Sequence, residues 1–139
     1  MLGTPSYLLE AIRVADVMHP GIIDCDSRTS VEDVAQRMSQ LGIHALAIRE
    51  RDGEQPPAII SDLDLVAALA AGEQGLEARD VVAEGTVTIL SRHSLREAAH
   101  LMSEHAITHL VVIDEASGSP CGVISSTDVL AAYASVTRE

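Results

Sequence analysis

Residues 122–128 read Gly-Val-Ile-Ser-Ser-Thr-Asp, and residues 58–64 read Ala-Ile-Ile-Ser-Asp-Leu-Asp. Each stretch is a short run of strand character followed at once by Ser-x-x-Asp. In that spacing a serine oxygen and an acid three residues later can satisfy the orphan N–H groups of a helix start. Both stretches therefore predict a strand that runs directly into a helix, and they lie 64 residues apart.

The same offset relates much of the chain to itself. Asp16-Val17 falls on Asp80-Val81, Gly21 on Gly85, Ser27-Arg28 on Ser91-Arg92, Met38-Ser39 on Met102-Ser103 and Ala67-Ala68 on Ala131-Ala132. Roughly 18 of 58 aligned pairs are identical without a gap, far more than chance supplies. The sequence divides into a first repeat at 1–72, with an N-terminal helix, and a second at 73–139.

Each copy reads in the same order. A short extended segment at Ile22-Ile23, or Val87, comes first. Ser30 then opens a helix with apolar residues at Val31, Val34, Ala35, Met38 and Leu41; Ser94 opens its twin with Leu95, Ala98, Ala99 and Met102. Strands are predicted over 44–49 and 58–61, and over 108–113 and 122–125, before the final helix. The fold class is α+β, as two β-α-β-β-α repeats. All four helix starts carry Ser-x-x-acid (Ser30/Asp33, Ser61/Asp64, Ser94/Glu97, Ser125/Asp128), so capping alone accounts for every pair. The strands Ala-Ile-Ile and Gly-Val-Ile are apolar on both faces. One face needs cover beyond the copy's own helices, and the twin repeat, packed about a pseudo-two-fold axis, is the expected cover.

Composition narrows the function. The formal net charge is −12, and all nine cations are arginine. Such acidity disfavours nucleic acid and anionic membranes, both of which are bound through cationic side chains. Aromatic residues make up 1% of the chain, so base-stacking platforms are lacking too. Cys25 and Cys121 show no CxxC pattern and read as reduced thiols. The absence of an 18-residue apolar run and of a leader pattern makes the cytoplasm the expected compartment. The histidines (His19, His44, His93, His100, His105, His109) form no metal-ligand motif and read as solvated or capping groups. No nucleophile stands beside a base, so an enzyme is not expected.

The gapless repeat, with Gly-hydrophobic-x-Ser/Thr-x-x-Asp closing copy two and Ala replacing Gly in copy one, resembles a tandem cystathionine-β-synthase (CBS) domain pair, or Bateman module, over about residues 14 to 135. The resemblance implies a regulatory module that binds an adenosine-containing ligand (AMP, ADP, ATP, S-adenosylmethionine or NAD) in clefts between the copies, with no cofactor required. It implies one cleft built from Gly21, Ile23, Ile43, Thr108, His109, Val123, Ser125, Thr127 and Asp128. The second would use His44, Ile59, Ser61, Asp64, Gly85, Val87 and Ile107. In each, the motif aspartate would accept from ribose hydroxyls, the helix N-terminus would face phosphate, and apolar side chains would hold the base. Where family members carry a basic residue before the middle strand, this chain has Ala45 and His109; together with the absence of lysine, that favours AMP over a triphosphate. The resemblance also implies a homodimer and a separate effector protein. The alternative is a ligand-free interaction or dimerisation module, for which the alanines Ala67, Ala68, Ala70 and Ala71 would permit close helix packing.

Overall fold

The computed structural model describes residues 9–49, 57–82 and 86–137. They form six helices and seven strands: α1 (Val14–Val17), β1 (His19–Pro20), β2 (Asp24–Asp26), α2 (Val31–Leu41), β3 (Ala45–Arg49), β4 (Ala58–Ser61), α3 (Asp62–Ala71), α4 (Ala78–Val81), β5 (Thr88–Leu90), α5 (Leu95–His105), β6 (His109–Ile113), β7 (Pro120–Ser125) and α6 (Ser126–Val136). This is the α+β pattern expected from the repeat, with small differences. The first strand of each copy begins after Ile23 and Val87 rather than on them, and β1 and α4 are additions.

Two compact units divide the chain, one of residues 22–86 and one of 1–21 with 87–139. They cross the division at 72/73. The reason is an exchange of opening segments. In the discontinuous unit, Val14 N donates to His93 O at 2.8 Å, Ala15 N to Ser91 O at 3.0 Å and Leu95 N to Ile12 O at 2.9 Å. At the same offset in the continuous unit, Ala78 N donates to Thr29 O at 2.7 Å, Arg79 N to Ser27 O at 2.9 Å and Val31 N to Leu76 O at 3.0 Å. Each opening segment thus docks on the helix start of the other repeat, and Val14 and Ala78 are both fully buried there.

The continuous unit holds a three-stranded sheet in the order β2-β3-β4, with β2 parallel and β4 antiparallel to β3. Its core gathers Val34 and Met38 of α2, Leu46 and Ile48 of β3, Ile60 of β4 and Leu65 of α3. The α2 residues Val31, Val34 and Met38 are buried at helical spacing, and Gly42, in the left-handed region at φ 65°, ends the helix.

The discontinuous unit repeats this plan and adds a strand, giving the order β1-β7-β6-β5. Its core collects Leu95, Ala98 and Met102 of α5, Leu110 and Val112 of β6, Ile124 of β7 and Val129 of α6, with Val14 from α1. Each fully buried leucine or isoleucine contributes about 1.5–3 kcal/mol from apolar area removed from water. Helix α5 ends at Ala106, whose φ of 53° is left-handed although the residue is not glycine.

The additional strand leaves a mark on the motif. β1 runs antiparallel to β7, with His19 opposite Val123 and Pro20 opposite Gly122. Gly21 N extends the ladder, donating to Cys121 O at 2.8 Å. A Cβ on Gly122 would lie 2.5 Å from His19 O and 2.8 Å from Met18 Sδ. Glycine is required there because the backbone of β1 passes directly over it.

Candidate functional site

The Ser-x-x-Asp motif of the second repeat sits where β7 becomes α6. Ser125 caps the helix: its Oγ accepts from Asp128 N at 3.1 Å, and Asp128 Oδ2 accepts from Ser125 N at 2.8 Å. The expected capping box is therefore formed. Strand β6 aligns its neighbours, since His109 lies opposite Ser125 and Thr108 O accepts from Ser126 N at 2.8 Å. Thr108 Oγ1 is 2.9 Å from His109 Nδ1. The unit thus brings Thr108, His109, Val123, Ser125 and Asp128 to one strand-to-helix corner, with Gly21 on the flanking chain. Thr127, in the first turn of α6, is exposed.

The second oxygen of Asp128 has a partner the sequence did not announce. His19 Nε2 donates to Asp128 Oδ1 at 3.0 Å. The aspartate side chain is only 13% exposed, whereas the histidine ring is 75% exposed. His19 is thus neither merely solvated nor a cap. Its partner lies 109 residues away, and its counterpart at the repeat offset is Ala83, so neither motif nor repeat marked it.

The first repeat builds the same corner at β4 and α3. Ser61 Oγ accepts from Asp64 N at 3.2 Å, and Asp64 Oδ2 accepts from Ser61 N at 2.8 Å. Asp62 N donates to His44 O at 2.9 Å, matching the Ser126–Thr108 bond. The His44 ring turns to Asp62, with Nδ1 3.1 Å from Oδ2. His44, Ile59, Ser61 and Asp64 are therefore drawn together in this unit.

The remaining expected residues fall on the other unit in each case. Ile23 and Ile43, assigned to the base beside Asp128, belong to the continuous unit, where Ile23 O accepts from Ala47 N and Ile43 N donates to Met38 O. Val87 and Ile107, assigned to the base beside Asp64, belong to the discontinuous unit. Gly85 lies outside the described residues.

Both corners offer the same chemistry. A helix start presents unpaired N–H groups and partial positive charge, which suit an anion. A carboxylate that caps through one oxygen keeps lone pairs for a hydroxyl donor. Among the described residues, no three His, Cys, Asp or Glu side chains gather to hold a metal ion, and no helix is long and apolar enough to cross a membrane.

The family model for the CBS domain matches this sequence twice, at residues 14–71 and 78–135. The chain belongs to the CBS domain family. Solved CBS-domain structures share its fold. CBSX2 in complex with AMP is 23% identical with a TM-score of 0.72, covering 91% of this chain and 99% of that one. The CBS domain pair of MJ0100, in complex with 5′-methylthioadenosine and S-adenosyl-L-methionine, is 21% identical with a TM-score of 0.78, covering 89% and 97%. The CBS domain protein PAE2072 from Pyrobaculum aerophilum, complexed with AMP, is 23% identical with a TM-score of 0.75, covering 89% and 99%. An uncharacterized protein of Methanopyrus kandleri is 25% identical over 126 residues, which are 88% of this chain and 63% of that protein. The CBS repeats thus span less than two thirds of that relative's length.

Proposed function

We propose that the chain is a regulatory module that binds an adenosine-containing nucleotide, AMP in preference to a triphosphate, at its two Ser-x-x-Asp corners and signals to a separate partner protein. The observation that carries this reading is the Asp128 carboxylate, held at the start of α6 with one oxygen committed to the cap. The capping bond aims the group, and its other oxygen is suited to a ribose hydroxyl. Ser125 and Thr127 at the same helix start suit a phosphate, while Ile23, Ile43, Val87 and Ile107 are the apolar side chains assigned to the base. Structures of the same fold were solved with AMP or S-adenosylmethionine, which supports this ligand class. The reading requires no cofactor or catalytic group and places the module in the cytoplasm as a homodimer.

Thermal melts with AMP, ADP, ATP, NAD and S-adenosylmethionine test it, on the wild type and on Asp128→Ala. A ligand that binds the native state raises the melting temperature by mass action. At least one of the five is expected to do so. Asp128→Ala is expected to weaken it by about 30-fold, the loss of about 2 kcal/mol of charge-assisted bonding.

A second reading has its own observation. Leu63, Val66 and Leu69 on α3, and Leu130 on α6, are more than half exposed. Helix faces of this kind favour an interaction or dimerisation module. That reading prevails if none of the five ligands moves the melting temperature at millimolar concentration.

A further inference from the structure

We infer that His19 competes with the nucleotide for Asp128, so that the two corners differ in affinity and the Asp128 corner weakens as the histidine is protonated. The inference rests on the nucleotide reading above, because it concerns access to the carboxylate that reading assigns to ribose.

Asp128 has two oxygens, and both are engaged: Oδ2 by Ser125 N at 2.8 Å and Oδ1 by His19 Nε2 at 3.0 Å. The Oδ2 bond belongs to the helix cap. A hydroxyl that approaches the carboxylate at Oδ1 meets the imidazole already bonded there and contends with it for that oxygen. The histidine cannot withdraw its backbone, which is fixed in β1 opposite Val123. Its ring can withdraw, because three quarters of the side chain is exposed. The contact is a side-chain latch on an immobile hinge.

The other corner has no such latch among the described residues. Asp64 engages Ser61 through the capping box, and the nearby His44 is committed to Asp62. The asymmetry is local to one repeat.

Protonation sets the sign. A neutral imidazole can donate from Nε2, but only the cation adds charge to the bond with a carboxylate. Histidine changes charge between about pH 5 and 8. The cationic ring therefore holds the carboxylate more strongly than the neutral one, and a ligand that displaces it must outcompete that charge-assisted bond. Neither His19 nor Asp128 has a further ion-pair partner among the described residues. The other ionisable groups on the elements packed around the pair are Asp16 on α1, Cys121 on β7, His109 on β6, Arg96, Glu97, His100, Glu104 and His105 on α5, and Tyr133 on α6.

The test is calorimetric titration with AMP at about pH 6 and about pH 8. Asp64→Ala isolates the Asp128 corner and is compared with Asp64→Ala/His19→Ala. An exposed pair is worth a modest factor, so affinity in the single variant is expected to fall about three- to fivefold on acidification beyond the fall in the double variant. The comparison cancels the protonation of AMP's own phosphate. Equal pH dependence in both variants overturns the inference. So does weaker binding of the double variant at pH 8, which would make His19 a ligand contact instead. NMR of the His19 ring in the ligand-free protein supplies an independent arm. Its ring resonances are expected to shift in Asp128→Asn, which removes the carboxylate they contact, and unchanged resonances overturn the latch whatever the ligand does. Absence of binding by any of the five ligands beside responsive His19 resonances overturns the nucleotide reading, and with it the competition.

Discussion

Gly122 and His19 stand so close that a methyl group on the glycine would lie 2.5 Å from the histidine's carbonyl oxygen. The obstacle is backbone held in a β-ladder, which cannot rotate aside as a flexible side chain would. Gly122→Ala is expected to destabilise the protein by about 1–3 kcal/mol, the range for forcing an extra carbon into a filled site. The same change should separate His19 from Asp128. Denaturant unfolding measures the first effect and the His19 ring resonances the second; a fully stable variant would mean that β1 does not hold this position.

The ends of α2 and α5 occupy equivalent positions in the two repeats, yet one is Gly42 and the other Ala106, both at left-handed φ. A side chain pays a penalty there that glycine escapes. Ala106→Gly is expected to stabilise by about 1 kcal/mol, and Gly42→Ala to destabilise by a similar amount. Paired unfolding curves check both signs.

Ser94 and Ser125 cap helices in the same way, each accepting from the amide of the acid three residues on. Replacing either with alanine is expected to cost about 1 kcal/mol of stability. Only Ser125→Ala should also weaken nucleotide binding, since Ser94 opens α5 away from the motif. Measuring stability and affinity on both variants separates a capping role from a ligand role.

Burial pushes both thiols up from the ordinary cysteine value. At Cys25 desolvation is the leading cause, partly offset by a hydrogen bond with Thr29; at Cys121 it is joined by the charges of Asp114 and Glu115. A raised value means less thiolate at a given pH, and thiolate is the reactive form. Both residues should react with a disulfide reagent more slowly than a free thiol at about pH 8, with rates still climbing above the usual range near 8.5. Cys25, the more buried, should be the slower.

Much of this architecture was legible in the sequence, because the repeat fixed the element order and each Ser-x-x-acid marked a real helix start. Helix α2 begins after Ser30 and α5 after Ser94, as the apolar spacing of Val31, Val34 and Met38, and of Leu95, Ala98 and Met102, requires. The strand-to-helix corners at Ser61 and Ser125 were equally readable, since a capping box is a local pattern. The exchange of opening segments was not. Ile12 to Ala15 bond to backbone atoms of residues 91–95, and backbone bonds leave no signature in side-chain type. The His19–Asp128 contact was hidden for a related reason: β1 is two residues long, too short to show alternation, and it alone carries the ring to the carboxylate. Gly122 was visible as a motif glycine, but its steric cause required knowing which strand crosses it.

The exchanged segments bear on how the chain assembles. Residues 22–86 form an uninterrupted unit whose strand pairings close over short stretches of chain. The other unit is discontinuous: Val14 bonds to His93, on the far side of the whole intervening unit in the chain. Closing so long a loop costs entropy before any contact repays it. Docking of the segment around Val14 is therefore expected to follow the local strand pairings of the continuous unit.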